Sequence, residues 1–230
     1  MARQYTTCSS GLCTGSSTSG NGNNSALPAC SEGLAIKQGD TCPVFEIQIK
    51  DPTTGEPVSY EDWDVEVYMY FTSCLGADTD APVSLNTSII TLLGKANLCQ
   101  IKIGDIIGVD DCNQNEEEFM LVLDVDYSTG EVTVQRGYGD SDIYAHEKGD
   151  RLIFYRIYGS TGYIDSKFED DPSTTENETD YSVIGYRWTT EDTSHTGTYY
   201  FEFKTINNEV SPAQVRSFPV DNNDYIIKII

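Results

Sequence analysis

From residue 44 onward, apolar and polar side chains alternate in short runs. Val44-Phe-Glu-Ile-Gln-Ile-Lys50 changes character at nearly every position, and Val65-Glu-Val-Tyr-Met-Tyr-Phe71 is dense in β-branched and aromatic residues. Successive side chains of a strand point to opposite faces, so period two predicts half-buried strands. Between these runs lies the turn cluster Lys50-Asp-Pro-Thr-Thr-Gly-Glu-Pro57, and the two strands are expected to pair like a hairpin, with Trp63 in the connecting loop. Cys99-Gln-Ile-Lys-Ile103 alternates in the same way. Phe119-Met-Leu-Val-Leu-Asp-Val-Asp126 is apolar enough to predict a buried strand, and Tyr127-Ser-Thr-Gly130 turns the chain into Glu131-Val-Thr-Val-Gln135. Further strands are expected at Arg151–Tyr158, Tyr181–Trp188, Gly197–Lys204, Ala213–Phe218 and Tyr225–Ile230. The acidic stretch 165–180 reads as a loop or a disordered excursion.

No run carries the helical period over ten or more residues, and there is no heptad or internal repeat. Many short strands separated by Gly, Pro and Asn turns predict an all-β protein of the sandwich or barrel type. Residues 1–33 are different. They are dominated by Ser, Thr, Gly and Asn, too poor in apolar surface to offset their chain entropy, and predict a flexible N-terminal arm.

Charge narrows the function. Lys and Arg total 14 against 37 Asp and Glu, a net charge of −23. Such a field repels phosphate and argues against nucleic-acid binding and against adhesion to anionic membranes. No apolar run approaches the roughly 18 residues that span a bilayer, and the first residues lack the apolar core of a secretory leader, so membrane insertion and export are not expected. The seven cysteines, Cys8, Cys13, Cys30, Cys42, Cys74, Cys99 and Cys112, form no CxxC pair, which disfavours a zinc ribbon. Four fall within the first 42 residues. Free thiols and disulfides that staple the arm after oxidation are both compatible with that placement.

Candidate chemistry is sparse. His146, Arg136 and the carboxylates of Asp140 and Asp142 are the one set suggesting acid/base work. No nucleophile or metal cluster accompanies them, so a role in shaping a turn is favoured. Asp124-Val-Asp-Tyr-Ser-Thr-Gly130 has the start of a calcium loop, but its glycine falls one place late and position twelve is not Glu, so it predicts a β-turn. The acidic runs at Glu116–Glu118 and Glu169–Asp171 offer carboxylates to a surface Ca²⁺, but solvated charge is the favoured reading. Trp63 and Trp188 have the side chains to stack on sugars, but each lies beside a strand and is expected in the core. His195 sits in a turn. No catalytic, cofactor-binding or metal-binding residue is therefore expected, and no cofactor.

Two stretches carry a resemblance. Ile36-Lys-Gln-Gly-Asp-Thr-Cys-Pro43 opens onto the strand at Val44, and Tyr186-Arg-Trp-Thr-Thr-Glu-Asp-Thr193 runs to Gly197-Thr-Tyr-Tyr-Phe-Glu-Phe203 and a closing strand at Tyr225–Ile230. Together they resemble the N-terminal β-sandwich of phage baseplate upper proteins, the BppU-like domain. The opening departs from that family in placing Cys42 between Thr41 and Pro43, and the two halves stand farther apart than is usual there. The intervening chain is similar to a small β-module recurring in phage structural proteins. That module reads E-x-hydrophobic-x-V, then V-x-R-G, then A-x-H-x-x-G; the similar stretches here are Ile101-Lys-Ile-Gly-Asp-Ile-Ile107, Phe119–Asp126, Val132-Thr-Val-Gln-Arg-Gly-Tyr138 and Ala145-His-Glu-Lys-Gly149, the last with no residue between Ala145 and His146.

The resemblance implies an Ig-like β-sandwich over 34–83 plus 158–230, an inserted small β-barrel-like module over 84–157, and the arm at 1–33. Insertion at a loop tip is tolerated when the loop ends lie close together. It also implies a non-enzymatic protein of a tailed-phage virion, assembled in the host cytoplasm. The expected role is a tail, baseplate or neck adaptor, or a fibre-attachment module. Its expected partners are other virion proteins, met as part of a symmetric oligomer. A capsid decoration or spike protein is the nearest alternative, and a glycan-binding receptor module is the alternative from another class.

Overall fold

A computed structural model describes residues 4–5, 34–42, 44–49, 58–76, 84, 86–94, 98–110, 118–170, 178–218 and 225–230. The expected arm lies outside these residues, apart from Gln4–Tyr5. So do the turn cluster at 50–57 and the greater part of the acidic run 169–177. Among the described residues there are fourteen strands: β1 (Gln4–Tyr5), β2 (Leu34–Ile36), β3 (Phe45–Ile49), β4 (Asp64–Gly76), β5 (Ile89–Leu92), β6 (Ile106–Asp110) and β7 (Phe119–Asp126), followed by β8 (Glu131–Gln135), β9 (Arg151–Thr161), β10 (Tyr163–Asp170), β11 (Glu178–Tyr186), β12 (Gly197–Asn207), β13 (Gln214–Phe218) and β14 (Tyr225–Ile229). Two short 3-10 turns are the only helical elements among the described residues. The all-β, sandwich-like fold expected from the period-two pattern is the fold observed.

The chain divides into two compact units. One comprises Met1–Val67, Gly159–Ser194 and Phe201–Ile230, the other Tyr68–Tyr158 and His195–Tyr200. In the first, one sheet has the order β1-β3-β11-β10, and a second sheet holds β2, β14 and β12, with β13 also paired to β12. Burial on β3 alternates, with Phe45, Ile47 and Ile49 inside. Phe45 meets Phe201 and Phe203 of β12 at ring-centroid distances of 5.1 and 5.5 Å. Two sheets whose inner faces interdigitate in this way make a sandwich core.

In the second unit the sheet order is β4-β5-β8-β7-β6-β9, and β4 pairs with β9 as well. That last pairing closes the sheet into a six-stranded barrel and leaves it no free edge. Its interior is filled by alternate residues, among them Met69, Ile90, Ile107, Val122, Val134 and Leu152. Phe71 stacks on Phe154 with centroids 4.9 Å apart. The barrel unit begins at Tyr68 rather than at 84, because the second half of β4 supplies one of its strands.

Four local expectations are corrected. β3 and β4 do not pair: β3 lies between β1 and β11 in one sheet, and β4 belongs to the other. Cys99–Ile103 is not a strand. Leu98–Gln100 is a 3-10 turn, Ile101 is buried and Ile103 exposed, and Asp105 Oδ2 accepts from the Lys102 amide at 2.9 Å to fold the segment back. Strand β7 is half-buried instead of buried throughout: its register with β8 shifts between Val122 and Asp124, and Leu123 at the shift is exposed. Much of 165–180 is a hairpin, with β10 and β11 paired from Tyr163↔Gly185 to Asp170↔Glu178.

Candidate functional site

Three segments of the barrel unit converge on one carboxylate. Glu118 precedes β7, Arg136 follows β8, and His146 lies in the connection to β9. Glu118 is fully buried. Its Oε1 accepts from Arg136 Nε, and its Oε2 accepts from Arg136 Nη2 at 2.6 Å, from His146 Nε2 at 2.8 Å and from the Tyr144 amide at 3.0 Å. The guanidinium is used just as fully. Nη1 donates to the carbonyls of Ser84 and Thr87 at 3.3 and 3.2 Å, and Nη2 also donates to the Tyr144 carbonyl. All five N–H donors of Arg136 thus have an acceptor.

Burial alone would raise the carboxyl pKa of Glu118. The hydrogen bonds from Arg136, His146 and Tyr144, with the guanidinium charge, outweigh it and bring the value down to about 2. The second ring nitrogen of His146 lies 3.9 Å from Asp150 Oδ2, and Asp150 itself accepts from the Glu147 amide at 2.8 Å. A fork-to-fork ion pair of this kind ties the barrel's connecting loops to the start of β7.

Asp140 and Asp142, expected beside His146, are exposed and take no part in this network. The acid that does take part is Glu118, from a run read as solvated charge. Charge density along the chain hides a single buried member of such a run. The visible signal is its place directly before the apolar strand, in the E-x-hydrophobic-x-V pattern. Gly137 has φ 63, a left-handed conformation that turns the chain immediately after Arg136 and that favours glycine.

A second buried pair lies in the same unit. Arg156 and Asp105 stand 3.6 Å apart, with side chains 0% and 1% exposed. Arg156 also donates to the Gln100 carbonyl and lies 5.7 Å from the centroid of Tyr199, whose phenol is pushed up in pKa by burial.

The remaining sequence candidates fall into structural roles. Trp188 is buried against Phe201, centroids 5.2 Å apart. Trp63 is half-buried, 5.2 Å from Tyr60, with the Arg216 guanidinium 5.3 Å from its centroid. Asp126 Oδ1 accepts from the Ser128 amide and hydroxyl at 2.8 and 2.6 Å, making the turn expected there. His195 offers its carbonyl to the Tyr199 hydroxyl at 3.3 Å. No cluster of three potential metal ligands occurs among the described residues. Cys74 and Cys99 form no disulfide, whereas Cys42 is disulfide-bonded. In the sandwich unit an open cleft of about 360 Å³ is lined by Thr161, Gly162, Tyr163, Ile164, Asp165 and Arg187.

No protein-family model matches the chain, and none of the curated proteins compared with it matches.

Proposed function

We propose that the chain is a structural component of a tailed-phage virion, acting through protein–protein contacts as a tail, baseplate or neck adaptor or a fibre-attachment module. The observation carrying this reading is the meeting of Glu118, Arg136 and His146 in one saturated, buried network. These are the polar residues of the pattern that resembles the phage β-module. A pattern whose polar members satisfy one another inside the protein serves to hold a fold, which is the kind of role a structural module would give them.

The same geometry supports a non-enzymatic role. A general acid or base needs a lone pair or proton available to substrate. Glu118 has both oxygens occupied, and Arg136 has no donor left over. The barrel has no edge, so its outer face is the surface it offers to partners.

The test is cryo-electron microscopy of intact particles from a phage encoding this chain. Density at the baseplate, neck or fibre base supports the adaptor role. Density on the capsid moves the chain to head decoration, and absence from the particle overturns the virion reading.

A further inference from the structure

The outer face of the barrel unit carries a continuous run of aromatic rings. Tyr200 lies 5.7 Å from Tyr70, Tyr70 is 5.6 Å from Tyr155, and Tyr155 is 5.1 Å from Tyr158. Tyr158 in turn lies 5.4 Å from both Tyr68 and Phe119. Side-chain alternation places three of these rings. Met69, Phe71, Phe154 and Tyr199 are buried, so their neighbours Tyr70, Tyr155 and Tyr200 fall on the opposite face of each strand. Tyr158 is 43% exposed, and Tyr70, Tyr155 and Tyr200 are half-buried. Four tyrosines of this run, Tyr70, Tyr155, Tyr158 and Tyr200, thus keep part of their surface in solvent, while Tyr68 is buried beneath them.

We propose that this tyrosine platform is a docking surface for a protein face that presents arginine side chains. Tyrosine suits a contact surface, because its ring brings large area with little entropy to lose and its hydroxyl keeps a polar tip. Charge selects the occupant. With 37 acidic and 14 basic residues, the chain draws cationic partners. Arg136 and Arg156 are spent on internal carboxylates, which leaves still fewer cations on the surface. A second copy of the chain would bring another −23 and offers this face no complementary charge. Arginine is the cation best matched to ring faces, since a planar, weakly hydrated guanidinium stacks where an ammonium stays solvated. The protein makes this contact repeatedly within itself: Arg187 lies 4.9 Å from the Tyr163 centroid and Arg216 lies 5.3 Å from that of Trp63. The inference names the kind of neighbour the adaptor role calls for and rests on that reading, but its test uses the isolated protein. Absence from particles would sink the adaptor role and leave the binding result standing.

The experiment is a titration of the full chain with an arginine nonapeptide at about 150 mM salt, where long-range attraction is screened. Three proteins are compared: the native chain, Tyr155→Ser with Tyr158→Ser, and Tyr127→Ser, which alters an exposed tyrosine outside the platform. All three have the same net charge. The expected result is a loss of about fivefold or more in affinity for the platform variant, none for Tyr127→Ser, and weaker binding of a lysine nonapeptide to the native chain. Equal affinity of all three proteins would overturn the proposal, because the peptide would then be sensing overall charge. A fluorotyrosine-labelled native chain gives a readout independent of the variants' folding. The platform resonances should move first on titration. Movement elsewhere, or movement with a neutral oligosaccharide and not with the arginine peptide, overturns it.

Discussion

Tyr163 donates its hydroxyl hydrogen to Glu46 Oε1 at 2.7 Å, reaching across Gly185 on the strand between them. The register explains the reach: Gly185 is opposite Tyr163 on one side and opposite Glu46 on the other. A Cβ at position 185 would lie 2.5 Å from the Tyr163 ring, so only glycine lets the ring lie over β11. Burial, and then the Glu46 carboxylate, push the phenol's pKa up.

Gly185→Ala should therefore destabilise the protein by about 1–3 kcal/mol, despite alanine's lower backbone entropy in the unfolded chain. Adding Tyr163→Ala should remove most of the further cost of the alanine, because the clash disappears with the ring. Urea unfolding of the four proteins of this cycle measures the coupling. Additive effects would show that the ring is not held where it is observed.

None of this row was legible in the chain. Gly185 sits inside Tyr181–Trp188 as an ordinary strand residue, and its partners are distant in sequence. The strands themselves were legible wherever one face is buried, as on β3 and β12, because burial on one face imposes period two. The signal failed where another force sets the conformation. Ile101 and Ile103 alternate correctly, but the Asp105 carboxylate captures the Lys102 amide and turns the segment away from a sheet. The β10–β11 hairpin was missed because backbone pairing needs no apolar side chains. Of the buried network, Arg136 and His146 stood out as residue types, whereas Glu118 was masked by its acidic neighbours.

The Glu118 network ties stability to acid. Its folded pKa of about 2 lies below the ordinary 4.5, so its contribution is fully present above about pH 4.5 and fades as pH falls toward 2. Across that interval the carboxylate is worth about 3 kcal/mol. Glu118→Gln should lower stability at pH 7 and flatten the dependence between pH 4.5 and 2, as read from denaturant melts at stepped pH. An unchanged slope would remove Glu118 from the linkage.

Arg136→Met strands the buried carboxylate of Glu118 and should cost about 3–5 kcal/mol at neutral pH. Much of that loss should return near pH 4, where a lone buried carboxyl is readily protonated. Melts of this variant at the two pH values separate a charge effect from lost packing, which would cost the same at both.

Inside the barrel, Arg156→Met should be costly for the same reason, since Asp105 is left buried beside it. Asp105→Leu combined with Arg156→Met should recover a large part of the stability, because an apolar pair needs no compensating charge. Thermal melts of the single and double variants decide this, and a double variant no better than the single would show that the pair also holds the Lys102 turn.

The virion reading is tested most directly by quantitative mass spectrometry of purified particles from a phage encoding this chain. It predicts that the chain copurifies with infectious particles at a fixed copy number, in integral ratio to the ring-forming proteins of tail or neck. Its absence from particles, with abundant free chain in the lysate, would contradict it.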